Sequence, residues 1–330
     1  MTDVGARRPQ LTAAAWRPAD IATTDAWCFT FSDAERDEIA AATRAARASG
    51  AASSTLSVED FALPITSGRL DEWRQALRTG LGFVLLRGFP IDLLDADDVE
   101  LAYVGFGLHV GRPVSQNAAG EVLTHIRDDR LQVTGPEVRR YRTNLRQDFH
   151  TDGADVIGLL CLRAAQSGGE SRIASSFAVY NELLARRPDL LEELYRPMPW
   201  DRNGEQSAGE PAFFELAPFH DVDGVPRVFY IGWYIRDAQR HPEAPRLTEA
   251  QREAMDLLEA IANDPAFHVE MDFRPGDIQM LNNARILHSR EAFTDPADPG
   301  ERRHLLRLWL RATEFADLEP FLRAGIAKRT

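Results

Sequence analysis

The 330-residue sequence predicts an α+β protein that has a mainly β core and helical insertions. Short apolar runs bounded by Gly, Pro, Asn or Asp recur before and after a helical segment at about 176-265, which is typical of strands that continue beyond an insertion. Strands and helices do not alternate as βαβ units do, so a parallel sheet is not expected. No repeat or low-complexity linker divides the chain. These features favour an antiparallel jelly roll, or double-stranded β-helix, wrapped by helices.

The first third of the chain predicts three helices and one strand. Residues 1-30 are rich in Ala, Thr and Pro without a clear period and are predicted to form an N-terminal arm on the surface, while 31-330 form a single domain. Ser32 caps a helix predicted over 35–48, and the other two helices are predicted over 69–78 and 95–110, each ended by a glycine. The apolar run from 82 to 90 predicts a buried strand.

The remaining elements are mostly short strands. The helices predicted here cover 178–187, 188–194 and 248–263, the last with a Thr248–Gln251 capping box. Turns are predicted at Pro275-Gly276 and Asn282-Asn283. The predicted strands cover 121–126, 155–162, 171–174, an aromatic segment at 227–235, 267–273, 277–281, 286–289 and 303–311.

Composition limits the partners. The chain has 51 acidic and 38 basic residues, a formal charge of −13, which argues against nucleic acid or an anionic membrane as the main partner. Cys28 and Cys161 are too far apart for CxxC spacing, so neither a disulfide framework nor a zinc cluster is expected. No stretch approaches 18 uninterrupted apolar residues, so a cytoplasmic location is expected. The oligomeric state stays open.

His150, Thr151 and Asp152 form the first candidate functional motif. Residues two apart on an extended strand point to the same side, so His150 and Asp152 would offer an imidazole nitrogen and a carboxylate oxygen side by side. A third ligand would complete the two-histidine, one-carboxylate face of non-haem Fe(II) oxygenases, which leaves metal positions open. His288 is the best candidate, because it ends an apolar run after the Asn282-Asn283 turn. The alternative, a core histidine with satisfied hydrogen bonds, stays open at this point.

The last predicted strand, 303–311, carries Arg303, Arg307 and Arg311, which strand alternation places on one face. An arginine inside an apolar strand is costly to bury without an anionic partner. A guanidinium group binds a carboxylate through two parallel hydrogen bonds, so this strand predicts a site for a carboxylate-bearing ligand. An exposed edge strand with solvated arginines is the alternative, and the Leu and Trp residues among the arginines disfavour it.

Together these residues resemble the Fe(II)/2-oxoglutarate-dependent dioxygenases of the taurine dioxygenase-like (TauD/TfdA) and clavaminate synthase-like group. The pattern of that group is His-x-Asp/Glu, a distal His and an Arg on the following strand, and it appears here as His150-Thr151-Asp152, His288 and Arg303. The resemblance extends over about 80–311 and includes Gly168-Gly169-Glu170-Ser171 and Gly276-Asp277-Ile278-Gln279. It implies a cupin-like double-stranded β-helix.

The resemblance also implies roles for individual residues. His150, Asp152 and His288 would hold Fe(II), and Arg303 would bind the distal carboxylate of 2-oxoglutarate. Ser171 stands where the family usually has Thr as a second contact to that carboxylate, so a hydroxyl group is retained. The carboxylate at position 152 implies oxygenation rather than halogenation.

Substrate contacts are predicted at three further positions. Arg307 matches a position that binds an acidic substrate group in several relatives, and a structural ion pair is an equal alternative. Gln116 and Asn117 precede the metal motif where relatives place substrate contacts, with an ordinary polar loop as the alternative. The polar segments 202–209 and 293–300 are candidate lids.

The implied reaction is hydroxylation of an unactivated C–H bond in a small polar, anionic or amino-acid-like metabolite, with O2 as oxidant and release of succinate and CO2. The same cofactors also support desaturation, cyclisation or oxidative cleavage. An alternative of a different class is a non-catalytic metal-binding jelly roll that acts as a sensor or scaffold. That alternative predicts the metal ligands without an oxo-acid site.

Overall fold

The computed structural model describes residues 7–117, 119–130, 139–206, 209–312 and 314–315. Local sequence signals account for where its main helices begin. The Ser32 hydroxyl accepts a hydrogen bond from the Glu35 backbone N–H while the Glu35 carboxylate accepts one from Ser32, and Thr248 and Gln251 form the same capping box. The α-helices of the described residues are α1 Pro18–Ile21, α2 Asp33–Ala48, α3 Ser67–Arg78, α4 Ala96–Leu108, α5 Ser176–Arg186, α6 Pro188–Leu194, α7 Gly232–Asp237 and α8 Glu249–Asn263.

The strands are short, and most lie close to the predicted ranges. In the described part of the chain they are β1 Cys28–Thr30, β2 Phe83–Arg87, β3 Arg112–Pro113, β4 Leu123–Ile126, β5 Gln147–His150, β6 Val156–Arg163, β7 Ser167–Gly168, β8 Ser171–Ser175, β9 Met198–Asp201, β10 Phe213–Leu216, β11 Phe219–Val222, β12 Val225–Val228, β13 His268–Met271, β14 Ile278–Asn282, β15 Ile286–Arg290, β16 Phe293–Thr294 and β17 His304–Arg311.

Two sheets form the jelly roll. The larger sheet has the order β1-β2-β14-β6-β17-β3, with β4 also paired to β17, and the smaller sheet has the order β13-β8-β15-β5. All pairings in these two sheets are antiparallel except that of β1 with β2. The predicted antiparallel jelly roll is confirmed.

The space between the sheets is filled at one end by apolar side chains. Phe83, Ile157 and Leu281 come from the larger sheet, and Ile173 and Ile286 come from the smaller one. All five are buried. The polar residues of the candidate site lie away from this apolar cluster, in a cavity that residues of both sheets line.

Helices cover the outer faces of both sheets. On the larger sheet, Trp73 of α3 and Phe106 of α4 share a buried cluster with the leucines of β17 that face these helices, namely Leu306, Leu308 and Leu310. This cluster confirms the predicted alternation of β17, whose arginines point the opposite way. No helix in the described residues is both long enough and apolar enough to cross a bilayer.

The predicted helical insertion lies between β8 and β13 and covers the smaller sheet. Leu183 of α5 and Leu258 of α8 pack in one cluster with Phe149, Ala174 and Leu287 of that sheet. The insertion also contains two antiparallel hairpins, β9 with β10 and β11 with β12, which the sequence analysis did not predict as such.

The N-terminal arm packs on the body of the protein. Trp16 is buried, donates its indole N–H to the Leu81 carbonyl at 2.8 Å and contacts the Phe83 ring edge-on. Strand β1 extends the larger sheet beside β2. Most described residues of the arm are exposed or half-buried, and its buried side chains are Ala14, Trp16 and Ile21, so the surface arm stays a prediction. The division of the chain at residue 30 stays a prediction.

The aromatic segment predicted as one strand over 227–235 is wrong in its second half. Strand β12 ends at Val228, and α7 begins at Gly232. Tyr230, Trp233 and Tyr234 are spaced three and four apart, which suits one face of a helical turn as well as it suits a strand edge. The buried Tyr230 hydroxyl donates to Glu259 of α8 at 2.6 Å, a tertiary contact that the local pattern does not reveal.

Candidate active site

The two histidines of the predicted metal site lie opposite each other on paired strands. His150 ends β5, and His288 lies in the middle of β15. The antiparallel register pairs His288 directly with His150, and the centroids of the two imidazole rings are 4.1 Å apart. Cross-strand partners project from the same face of a sheet, so this register brings together residues that are far apart in the sequence.

Asp152 reaches the site from a loop and not from the strand. Strand β5 ends at His150, so the predicted strand alternation of His150 and Asp152 is wrong. Asn283 holds the loop instead: its side-chain oxygen accepts from the Asp152 backbone N–H at 2.9 Å, and its amide donates to the Asp152 and Ala154 carbonyls. The Asn282-Asn283 turn therefore also positions the carboxylate.

The three side chains converge on one point. The Nε2 atoms of His150 and His288 each lie 3.8 Å from an oxygen of Asp152, and the three potential ligand atoms all lie within 4.8 Å of one another. Two atoms bound to one ion at ~2.1 Å are at most about 4.2 Å apart, so the carboxylate–imidazole separations suit a shared metal ion.

The protonation of the histidines also fits a metal site. The Nδ1 atom of His150 lies 2.8 Å from the Asp148 carbonyl and donates to it in the neutral ring, which leaves Nε2 as the electron-pair donor. Burial lowers the pKa of His150, and burial together with the neighbouring His150 lowers the pKa of His288 to about 3. Both rings are therefore neutral near pH 7, the form that binds metals.

Asp152 is kept ionised by its neighbours. Arg307 Nη1 and Trp309 Nε1 both donate to its Oδ2 atom at 3.1 Å. Burial acts to raise the pKa of Asp152. The charge of Arg307, the two neighbouring histidines and the hydrogen bond from Trp309 act in the opposite direction, and together they hold the pKa below its ordinary value. An anionic oxygen donor is therefore present beside two neutral nitrogen donors, and the residues fit Fe(II).

The three predicted substrate residues, Arg307, Gln116 and Asn117, differ in their hydrogen-bond partners. Arg307 lies in the site, where its Nε donates to the Gln116 side-chain oxygen at 2.7 Å, and the Gln116 amide donates back to the Arg307 carbonyl at 2.8 Å. Asn117 instead accepts hydrogen bonds from the Ala119 and Glu121 backbone within its own turn. The substrate roles of Gln116 and Asn117 stay predictions, and the contacts of Asn117 are those of a turn residue.

Arg303 lies at the other end of the same cavity and is 4% exposed. Burial lowers its pKa to about 10, so the guanidinium remains charged near pH 7. Its Nη1 atom has no hydrogen-bond partner among the described residues, and its Cζ atom lies 5.0 Å from the centroid of the Phe293 ring. A buried cation with an unused donor is suited to an anionic ligand.

Ser171 begins β8 and is buried in the same cavity. Its hydroxyl donates to the Gln279 side-chain oxygen at 3.0 Å. Gly169, with φ at +78°, lets Arg303 pass close to the chain, since a Cβ atom there would lie 3.0 Å from Arg303 Nε and 3.2 Å from Phe293 Cβ. The Gly-Gly-acidic-Ser segment therefore supplies both a hydroxyl group and the space that Arg303 occupies.

His150, Ser171, His288, Arg303 and Arg307 line one cavity between the two sheets. Its walls combine the polar groups described above with apolar and aromatic side chains from both sheets. The lining residues are Ile126, Tyr141, Gln147, His150, Leu159, Ser171, Phe273, His288, Ser289, Arg290, Arg303, Leu305 and Arg307.

Sequence analysis did not identify several residues of the site. Gln147 Nε2 lies 3.1 Å from His150 Nε2, and the Trp233 ring contacts the His150 ring edge-on at 4.9 Å. Arg290 lines the cavity two residues after His288. The alternation that was applied to 303–311 would have found Arg290, whereas Trp233 was assigned to a strand that does not form.

The structure describes the two candidate lid segments to different extents. Phe293 and Thr294, at the start of the 293–300 segment, form β16 and pair with β7, and the Asp295 carboxylate accepts from the Arg303 backbone N–H at 2.8 Å. This end of the segment is thus held in place beside Arg303, and its role as a lid stays a prediction. Of the 202–209 segment, residues 207 and 208 lie outside the described residues, and its role as a lid stays a prediction.

The fold and the site together define a class of protein. A jelly roll that carries two neutral histidines and one carboxylate at a shared point, beside a buried unpaired arginine, is the arrangement of a non-haem Fe(II) oxygenase that takes a carboxylate-bearing co-substrate.

Comparison with known proteins agrees with this class. Residues 46–309 match the family model described as taurine catabolism dioxygenase TauD, TfdA family. The chain is 31% identical to FR-33289 synthase of Streptomyces rubellomurinus over 92% of this chain and 91% of that protein, and 31% identical to the taurine hydroxylase-like protein SAT17 of Stachybotrys chartarum over 89% and 77%. Asparagine oxygenase in complex with Fe(II), 2S,3S-3-hydroxyasparagine and succinate has the same fold, with a TM-score of 0.66, 17% identity, and coverage of 86% of this chain and 93% of that one.

The chain belongs to the TauD/TfdA family. It is an Fe(II)- and 2-oxoglutarate-dependent oxygenase.

Proposed function

We propose that His150, Asp152 and His288 bind Fe(II), that Arg303 and Ser171 bind the distal carboxylate of 2-oxoglutarate, and that the enzyme hydroxylates a small anionic or amino-acid-like metabolite. One observation carries this proposal: His150 and His288, which converge with Asp152 on one point, line the same cavity as the unpaired guanidinium of Arg303. A dicarboxylate with one end near the metal and the other at Arg303 would occupy both groups.

With Fe(II) bound, the metal and O2 supply the oxidising chemistry that converts C–H and 2-oxoglutarate into C–OH, succinate and CO2. The residues of the chain provide position and charge. The Asp148 carbonyl fixes the His150 tautomer, and Trp309 and Arg307 keep Asp152 anionic. Apolar side chains in the wall, including Leu305, reduce the access of water.

We assign Arg307 to the substrate side of the site. Its guanidinium lies over the rings of Tyr141 and Trp309, at 5.1 and 4.9 Å from their centroids. Gln116 accepts a hydrogen bond from the guanidinium and donates one to the Arg307 backbone carbonyl. An anionic substrate group could pair with a cation held in this way. The names of similar proteins agree with such a substrate: one is called taurine hydroxylase-like, and another was solved with a hydroxylated asparagine.

Two alternatives to this function are a different reaction with the same cofactors and a non-catalytic metal-binding protein. The mass of the product tests the first, and the environment of Arg303 bears on the second. Desaturation or cyclisation would remove two hydrogen atoms from the substrate, whereas hydroxylation adds one oxygen atom, so the mass of the product distinguishes them. A metal-binding sensor or scaffold has no use for a buried cation without a protein anion, and the environment of Arg303 therefore argues against it. A cytoplasmic location is proposed as well, in keeping with two free cysteines in the described residues.

Anaerobic titration with Fe(II) and then 2-oxoglutarate tests the proposal. Wild-type protein is expected to develop a weak visible charge-transfer band when the oxo acid joins the metal, and candidate metabolites are then screened for coupled release of succinate in air. Arg303→Ala is expected to bind Fe(II) normally but to lose the band and succinate formation. The half-exposed neighbour Arg302→Ala is the matched control and should behave like wild type. Normal turnover by Arg303→Ala would refute the assignment of the oxo-acid site.

A further inference from the structure

Two histidines link neighbouring strands of the larger sheet on the face away from the cavity. His125 of β4 and His304 of β17 lie with Nδ1 of the first 2.8 Å from Nε2 of the second, and their ring centroids are 5.0 Å apart. Arg163 of β6 is the cross-strand partner of His304, and its Nη2 lies 3.2 Å from His304 Nδ1. At the other end, a carboxylate oxygen of Glu100 in α4 lies 3.6 Å from His125 Nε2. These four side chains form one continuous line, which we call the histidine row.

The chemistry of the end groups assigns the protons in the histidine row. A guanidinium group only donates hydrogen bonds, so His304 Nδ1 accepts from Arg163. A neutral imidazole carries one proton, so His304 holds its proton on Nε2 and donates it to His125 Nδ1. His125 then carries its own proton on Nε2, which faces the Glu100 carboxylate. Every link is satisfied only while both rings are neutral.

An added proton breaks the histidine row. The two nitrogens without a proton, Nδ1 of His125 and Nδ1 of His304, each already face an N–H group. Burial, followed by the neighbouring His125, lowers the pKa of His304 to about 4, with Arg163 and Arg127 acting in the same direction and Asp129 opposing them. When the pair takes up a proton, His125 therefore receives it. The 2.8 Å link then becomes a contact between two N–H groups.

This link lies directly behind the wall of the cavity. Arg303 and Leu305, the chain neighbours of His304, both line the cavity, because alternation along the strand points them the other way. Ile126, which follows His125, lines it too. A displacement of the two rings therefore moves residues on both strands that face the ligand.

The start of β17 also depends on the histidine row for hydrogen bonds. The pairing of β17 with β6 shifts register between His304 and Leu305, so the ladder is interrupted there. Arg163 spans the interruption, since its Nη2 reaches His304 and its Nε donates to the Arg302 carbonyl at 3.0 Å. The histidine row thus supplies contacts at the point where the regular ladder does not.

We propose that His125 and His304 are positioning residues that hold the start of β17, and with it Arg303, while both rings are neutral, and that protonation weakens binding of the oxo acid by releasing this hold. The inference rests on the proposed function, because binding of the oxo acid is its readout. A half-exposed pair with only a structural role is the alternative, and it predicts an effect that does not change with pH.

The test measures the dissociation constant of 2-oxoglutarate by calorimetry on Mn(II)-loaded protein without O2, with Mn(II) saturating at each pH. The range from about pH 7.5 to about pH 5.5 spans the ordinary titration of an imidazole. His125→Asn offers His304 an acceptor oxygen and takes up no proton. The amide of His304→Gln donates to neutral His125 and, after rotating, accepts from the protonated ring. His220→Asn, at a half-buried histidine of β11 outside the cavity lining, is the matched control.

The dissociation constant of the wild type is expected to rise by up to about tenfold per pH unit below about pH 6.5, the limit for uptake of one proton. His220→Asn should follow the wild type. His125→Asn and His304→Gln should give flatter profiles. The ratio of the wild-type constant to that of either variant should therefore grow by up to about tenfold between pH 7.5 and pH 5.5.

The inference is overturned if both variants follow the wild-type profile, or if they change the constant by the same factor at every pH, as a structural role would. If one variant does not fold, the other decides, because each removes the contact between two N–H groups by a different route. Failure of the proposed function looks different: wild-type protein would retain Mn(II) but bind no 2-oxoglutarate at any pH, and the inference would fall with it.

Discussion

The loop that carries Asp152 is predicted to depend on a single buried amide, that of Asn283. Asn283→Ala removes three side-chain hydrogen bonds to the backbone of residues 152 and 154 and leaves those groups buried without partners. At ~1 kcal/mol for each bond, the free energy of unfolding should fall by about 3 kcal/mol. Because the loop positions a metal ligand, metal affinity should also fall by roughly tenfold to a hundredfold.

Asn282→Ala is the matched control. Asn282 is equally buried and makes two side-chain hydrogen bonds, to the Leu77 carbonyl and the Ala284 N–H, neither of which touches the Asp152 loop. Its loss should cost about 2 kcal/mol of stability with metal affinity nearly unchanged. Asn283→Asp keeps the acceptor for Asp152 but loses both donors, so its metal affinity should also fall.

Urea denaturation of the metal-free variants measures the stability change, and anaerobic titration with Fe(II) measures the affinity. The reasoning predicts that the two losses separate: both alanine variants lose stability, and only the Asn283 variant loses metal affinity. It would be refuted if Asn283→Ala bound the metal as tightly as Asn282→Ala does. In that case the position of Asp152 would be set by Arg307 and Trp309 alone.

Two further predictions concern the pocket and its titration. Gly169→Ala should raise the KM for 2-oxoglutarate because the new Cβ atom would displace Arg303, whereas Gly224→Ala, at a similar φ of +75° but in open space, should lose stability without changing that KM in steady-state assays. Metal-free protein should lose stability as the pH falls below about 6.5, because the unfolded chain then protonates His150 and His288 while the folded chain resists. The loss should approach ~1.4 kcal/mol per pH unit for each histidine and continue toward the folded pKa, which is about 3 for His288; a flat urea-denaturation profile from about pH 7.5 to 5 would contradict it.

The class of chemistry could be read from the sequence because it depends on residue types in a fixed order. His150, Asp152, His288 and Arg303 were all identified before any contact was known. The structure brings the first three together at one point and places His150, His288 and Arg303 on one cavity. The alternation of β17 was also predictable, since a period of two along one strand is a local property. It placed Arg303 and Arg307 on the pocket side and Leu306, Leu308 and Leu310 on the other side.

Other parts of the site depend on pairing between distant segments. The alignment of His288 with His150 is a matter of strand register, and the same register places Arg290 beside Ser171. Sequence alone does not specify register, because the choice between neighbouring registers is made by burial and by the turns at both ends. For this reason the position of Arg290 beside Ser171 could not be predicted, although alternation along β15 already places Arg290 on the same face as His288.

The sequence by itself determined the fold class, the metal-binding residue types and the strand that carries the cations, since each follows from local order and periodicity. Only the tertiary structure decided how Asp152 reaches the site, that Arg307 pairs with it, and that the pocket contains a second buried guanidinium. Those features are contacts between elements far apart in the chain. Their energies come from burial and hydrogen bonding, which exist only once the sheets have packed.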